Sequence, residues 1–243
     1  EAKLTESLVD LPDFETDLET VRKALKIPGM SAAVVQDQEL IWASGFGYAN
    51  LEQEIASTPD TPYGLASVTK PVAAVVIMQL VEEGLIDLDT PVSQYGVHLV
   101  GEQVTVRHLM THTSEGIPGA KHNYNGNRYG YLAGVIEYVT GKSFAEVLCE
   151  RILDPLGMTS TALNPINSWG GSMVSPWSNI KIALGWGVDF QQSGEVYVNL
   201  AKPYQFDDTY NITQGMYQIY HNTAAGLISS AVDLAKFDIA LDS

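Results

Sequence analysis

The stretch Tyr63-Gly64-Leu65-Ala66-Ser67-Val68-Thr69-Lys70-Pro71-Val72-Ala73-Ala74-Val75-Val76-Ile77-Met78-Gln79-Leu80 decides how this chain is read. It sets a hydroxyl and an amine three residues apart, where an apolar helix begins. Residues i and i+3 share a helix face, so Ser67 and Lys70 can meet. A serine hydroxyl is a weak nucleophile until a neighbour takes its proton. A lysine one turn away can take it, provided burial or nearby cations lower its pKa. Alone, S-x-x-K is a chance-prone pattern, and its ordinary reading is a helix start with a solvated lysine. The helix is expected over Val68 to Glu83, with Pro71 in its first turn and Gly84 closing it.

Working outward, Leu11 to Leu25 reads as a helix ended by Pro28-Gly29. Met30 to Val35 and Leu40 to Tyr48 read as two strands of an antiparallel hairpin turning at Asp37-Gln38. Gly45 and Gly47 imply a bend or a close backbone approach in the second strand. Beyond the serine helix, Thr105 opens a short helix to Met110, and His112 to Asn127 reads as loop. Tyr129 to Val139 reads as a helix, and so does Ser143 to Ile152, with Ser143 and Glu146 forming a capping box. Asn164 to Tyr220 reads as long loops with short elements, held by aromatics that include Trp169, Trp177 and Trp186. Ser230 to Leu241 reads as a final helix.

The 243 residues are 45% hydrophobic and 17% charged, a globular balance with room for a sizeable core. The net charge of −16 argues against nucleic acid or an anionic membrane surface as partner, because phosphate binding needs clustered Lys and Arg. No stretch has the length of a membrane span. The one cysteine, Cys149, excludes an intrachain disulfide framework and reads as an inert thiol on a helix. No signal peptide is visible.

Several further stretches, in order, carry a resemblance. Gln79 to Val92 reads Q-L-V-E-E-G-L-I-D-L-D-T-P-V. Val104 to Ser114 reads V-T-V-R-H-L-M-T-H-T-S. Gly141-Lys142 leads to Leu156-Gly157-Met158, and Ala224 to Phe237 reads A-A-G-L-I-S-S-A-V-D-L-A-K-F. Together with Tyr63 to Lys70 they resemble the serine β-lactamase-like superfamily, from about Met30 to the last residue. That group holds class C β-lactamases, D-alanyl-D-alanine peptidases and related esterases.

The resemblance implies an α/β architecture of the α+β type. An antiparallel sheet with flanking helices packs against a mostly helical region, with Ser67 at their junction. One domain over 1–243 is expected: residues 1–58 for the first helix and hairpin, 59–223 for the helical region, and 224–243 for a return helix. The resemblance makes Ser67 the nucleophile and Lys70 its base. The family's Y-x-N motif falls on Tyr124-Asn125-Gly126, so Tyr124 inherits the tyrosine's proton-transfer role. Gly126 stands where the family has Asn; Asn125 or Asn127 is the candidate substitute for binding substrate. The loop from His112 to Tyr124 is shorter than usual in the family. These departures favour an ester over a lactam or peptide substrate.

The family's third motif, K-T-G or H-x-G, occurs nowhere in this sequence. In the family it lies on a strand that supplies one oxyanion donor, and by the resemblance the sheet would lose its last strands and terminal helix with it. Three readings follow: a longer protein, a second polypeptide completing the fold, or an inactive remnant, with the first two preferred. The expected activity is serine hydrolysis of a small ester, lactam or D-amino-acid peptide through an acyl-enzyme, with no metal or organic cofactor and a periplasmic or secreted location. The competing reading is a catalytically silent, penicillin-binding-like recognition module. Weighed as bland alternatives, His108 and His112 belong to a structural run instead of a metal site. Asp87 and Asp89 solvate or cap a turn, Asp233 caps or precedes the last helix, and Trp186 packs instead of lining a cleft.

Overall fold

The computed structural model describes residues 12–99, 103–163, 190–217 and 222–242. Helix α1 (Pro12–Ala24) precedes β1 (Gly29–Gln36) and β2 (Glu39–Asn50), which form the expected antiparallel hairpin. Asp37 and Gln38 at its tip have φ of 51° and 64°. Positive φ at both central residues gives the turn whose twist matches that of its strands. Strand β3 (Ile55–Ala56) joins the far side of β2, for an order β1-β2-β3. A Cβ at Gly45 would stand 2.2 Å from the Ser57 carbonyl oxygen, so only glycine lets the chain pass there. α1 is fastened to β2 by Trp42, which is buried, meets Phe14 edge-on at 5.2 Å and donates from Nε1 to Glu15 Oε1 at 2.9 Å.

The helical region is built round α2 (Thr69–Glu82). Val72, Ala73, Val76, Ile77 and Leu80 are at most 1% exposed, and each large aliphatic side chain so buried contributes about 1.5–3 kcal/mol. The same core takes Leu109 from α3 (Val106–Met110), Leu132 and Ile136 from α5 (Leu132–Thr140), and Leu148 from α6 (Phe144–Leu148). α2 ends as expected at Gly84, whose φ is +73°. Gly84 N–H donates to Val81 O and Leu85 N–H to Leu80 O, both at 2.9 Å, which satisfies carbonyls the helix would otherwise leave open.

Two helices differ from their sequence reading. The run expected over Tyr129 to Val139 is split into α4 (Gly126–Gly130) and α5. Thr223 Oγ1 donates to the carbonyls of Tyr129 (3.0 Å) and Gly130 (3.4 Å), taking acceptors that a continuous helix uses internally. The helix after Ser143 does not stop at Ile152. It widens into a π-turn (Cys149–Leu153) and continues as α7 (Asp154–Leu156). The widening falls just before Pro155, which has no N–H for an i→i−4 bond. The Ser143–Glu146 capping box is present, and Cys149 packs half-buried against the core.

A second small sheet has the order β4-β8-β5, from β4 (Tyr63–Gly64), β8 (Leu227–Ser229) and β5 (Ala162–Leu163). Segment 224–243 therefore opens with a strand, and its helix, α9 (Ala231–Leu241), follows and packs on β1 and β2. Between β5 and β8 lie α8 (Phe190–Val198) and a hairpin of β6 (Tyr204–Phe206) and β7 (Ile212–Gln214). The nine-residue α8 replaces part of the expected loop. Trp169, Trp177 and Trp186 lie outside the described residues.

Asp233 sits inside α9, not before it, and is 1% exposed. Its carboxylate accepts from Ser160 N (2.7 Å), Thr161 Oγ1 (2.8 Å) and Lys236 Nζ (2.8 Å), tying the return helix to the turn before β5. Asp87 caps its turn through Asp89 N, and Asp89 pairs with Arg107 at 2.7 Å.

Candidate active site

β4 delivers the chain into a 3-10 turn (Ala66–Val68) that runs straight into α2. Ala66 has φ +46°, a left-handed backbone that costs a non-glycine residue about 1–2 kcal/mol. Such strain is held in place by surrounding bonds. Here Thr69 Oγ1 donates to Ala66 O (2.6 Å) and accepts from Leu227 N (3.0 Å), while Leu65 N–H donates to Leu227 O (2.8 Å). Ser67 is thus fixed at the N-terminal end of α2 and remains exposed, whereas Thr69 and Lys70 beneath it are buried.

Lys70 Nζ donates to Ser67 Oγ at 2.9 Å and to the Ala224 carbonyl at 2.8 Å. Ser67 Oγ and Tyr124 Oη are 2.7 Å apart, across 57 residues of sequence. Lys70 Nζ also stands over the rings of Tyr124 (4.9 Å) and Tyr129 (5.6 Å). Tyr129 Oη in turn donates to the Lys70 carbonyl at 3.1 Å, and burial pushes that phenol up to about 12. Tyr129 therefore braces the turn as a neutral phenol. Tyr124 is the opposite case. Hydrogen bonding to Lys70, then to Ser67, holds its phenol below the ordinary value of 10. A hydroxyl, an amine and an acidified phenol within hydrogen-bond reach of one another can relay a proton.

The structure brings Ser67, Lys70 and Tyr124 together and engages the Asn125 side chain with other partners. Asn125 caps α4: its Oδ1 accepts from Arg128 N (3.0 Å), and its Nδ2 donates to Glu115 Oε1 (2.8 Å). Asn127 is exposed on the first turn of α4. Position 126 faces the site instead, since a Cβ built on Gly126 would lie 3.7 Å from Lys70 Nζ. The side chain that Gly126 lacks is thus the one that would meet the lysine.

Two participants carry no signal of their own in the sequence. The Ala224 carbonyl is a backbone group, so the stretch Ala224 to Phe237, although it carries the resemblance, does not announce this contact. His112, four residues from His108, reads as part of a structural run with no link to Tyr124, and both rings have partners in the fold. His108 Nδ1 accepts from Thr105 N (3.2 Å) to complete the cap of α3. His112 stacks on Tyr124 with 4.4 Å between ring centroids. Among the described residues, no group of three His, Cys, Asp or Glu is arranged to hold a metal.

The β-lactamase family profile matches residues 15–243. The chain belongs to the β-lactamase family. Curated relatives of this family member include a protein named as penicillin-binding protein PbpX of Bacillus subtilis, 27% identical and matched over 85% of this chain and 60% of that one. A teichoic acid D-alanine hydrolase of Staphylococcus aureus is 32% identical over 54% of this chain and 40% of that protein. The chain thus spans 60% or less of the length of either. Among solved structures, the octameric penicillin-binding protein homologue from Pyrococcus abyssi superposes with a TM-score of 0.75 at 27% identity, over 95% of this chain and 56% of that one. The D-alanine carboxypeptidase AmpC from Burkholderia cenocepacia superposes at 0.71 with 20% identity, which speaks to the fold alone.

Proposed function

We propose that this chain carries the acylation site of a serine hydrolase. The reading rests on one arrangement: an exposed Ser67 Oγ between Lys70 Nζ at 2.9 Å and Tyr124 Oη at 2.7 Å. In the proposed reaction Ser67 Oγ attacks an ester carbonyl and passes its proton to the Lys70 amine. The tetrahedral intermediate collapses with cleavage of the C–O bond. The leaving oxygen takes a proton from Tyr124 Oη, which is replenished from Lys70 Nζ. Water then cleaves the acyl-Ser67 ester. The positive end of the α2 dipole adds a favourable field for developing negative charge.

The preferred substrate class is a small ester. Gly126 supplies no amide beside Lys70, and the amides of Asn125 are engaged by Glu115 and Arg128, so recognition of a lactam or peptide acylamide is weakened. The hydrolase name of the Staphylococcus aureus relative agrees with acyl transfer. A location outside the cytoplasm is part of the same proposal. No helix among the described residues is long and apolar enough to cross a membrane.

A fluorophosphonate probe followed by intact-mass and peptide mapping tests the site. One adduct on Ser67, absent from Ser67→Ala, is expected. Labelling of Ser67→Ala at the parent rate would sink the reading, and no adduct on the parent chain would favour a silent recognition module. Turnover of p-nitrophenyl butyrate should exceed that of nitrocefin; the reverse order overturns the ester preference.

A further inference from the structure

His112 touches the chain on both sides of Tyr124 as well as Tyr124 itself. Its carbonyl accepts from Asn123 N–H at 2.7 Å. Its Nδ1 accepts from Asn125 N–H at 3.2 Å. Its ring lies on the Tyr124 ring at 4.4 Å and an interplanar angle of 39°, and meets Tyr129 at 5.4 Å. Three consecutive residues, 123 to 125, are therefore registered against one histidine. Outside that histidine, Tyr124 meets Ser67 at its Oη and Lys70 Nζ over its ring, and the residue is more than half exposed.

We infer that His112 is the positioning residue of this site, which in its neutral form, with Nδ1 unprotonated, sets the Tyr124 hydroxyl against Ser67 and Lys70. The inference rests on the acyl-transfer role proposed for Ser67, Lys70 and Tyr124, and it adds a regulatory consequence. An imidazolium has no acceptor. Protonating His112 turns Nδ1 into a donor facing the Asn125 N–H donor, so the segment carrying Tyr124 must shift. The groups around the ring are Lys70 from α2, Tyr129 from α4, and His122 and Tyr124 from its own loop, with His122 at 5.9 Å. Glu115 is engaged with the amides of Asn123 and Asn125. Burial first, then the charge of Lys70 and of His122, hold His112 below the ordinary histidine value of 6.5. Neutral His112 is therefore the form present at neutral pH, and acylation is lost as pH falls through its lowered value.

His112 has φ +54°, which dictates the variants. His112→Gly adopts that backbone without strain and removes both ring and acceptor. His112→Asn also tolerates it and restores an acceptor near the place of Nδ1. The second-order rate of Ser67 labelling by a fluorophosphonate should fall about tenfold to a hundredfold in His112→Gly, and His112→Asn should recover most of it. The parent should lose rate on the acid side, and His112→Asn should lack that limb. NMR with ring-labelled tyrosine gives a readout that needs no turnover. Titrating His112 in the parent should move the Tyr124 resonance. In His112→Gly the Tyr124 phenol should titrate closer to 10. Parent-like labelling and an unmoved Tyr124 resonance in His112→Gly would overturn the inference, as would an acid limb that persists in His112→Asn. If the parent chain is not labelled at all, the acyl-transfer reading fails, and the Tyr124 titration alone decides the role of His112.

Discussion

At the scale of single residues, the site divides its work by burial. Ser67 is exposed, while Lys70 lies beneath it with Nζ held by the Ala224 carbonyl at 2.8 Å. Tyr124 is the acid in the proposed relay, so Tyr124→Phe should lower the labelling rate about 10²- to 10⁴-fold. Its thermal midpoint should stay near that of the parent, because the side chain is 55% exposed. The sign of the pH effect follows from its donor role. The phenol must carry its proton, so turnover should fall as pH rises through the Tyr124 value, which Lys70 holds below 10. A pH–rate profile that keeps rising past pH 10 would contradict that role. The sequence singles out Ser67, Lys70 and Tyr124, and the structure brings their polar atoms together. Asn125 and Asn127 were the expected substitutes for a missing amide, yet the position next to Lys70 is Gly126 itself. A one-residue step near a helix start turns a side chain by roughly 100°, which is why neighbouring asparagines do not replace it.

At the scale of elements, most boundaries are set by local chemistry. Thr105, Ser143 and Ser230 each cap a helix through an N–H three residues on, and Gly84, Gly96, Gly141 and Gly157 end helical turns with positive φ. Gly84 gives a clean test, since a Cβ there meets nothing within 4 Å. Gly84→Ala should therefore cost only the left-handed backbone, about 1 kcal/mol, and lower the thermal midpoint by roughly 2–4 °C. A change within error would mean that the helix end relaxes out of its left-handed form. The elements misread from sequence are those whose cause lies elsewhere in the chain. The break at Tyr131 depends on the hydroxyl of Thr223, more than 90 residues away. α8 carries Ser193 and Gly194 in its middle, residues of low helix propensity, and so reads as loop.

At the scale of the molecule, the return segment joins the two halves. β8 pairs with β4 and β5, its leading residues hold Lys70 and Thr69, and α9 packs on the β1–β2 hairpin. Asp233 locks this segment through three bonds in a buried pocket. Asp233→Ala leaves the Ser160 N–H and the Thr161 hydroxyl without that acceptor, and should destabilise the fold by about 2–4 kcal/mol in urea unfolding. Ser67 labelling should stay parent-like in whatever fraction remains folded. A loss below about 0.5 kcal/mol would mean that water replaces the carboxylate without cost.

The sequence by itself determined the family, the serine helix, the hairpin with its turn, the helix caps and the three side chains proposed as the reactive trio. All of these are written in periodicity, in short motifs, or in residues that act on neighbours three or four places away. Tertiary structure alone decided that Ala224 lends its carbonyl to Lys70 across 154 residues. It also decided that His112 brackets Tyr124. The physical reason is common to both. A backbone carbonyl has no side chain to read, and a histidine's partner depends on which way a loop folds back.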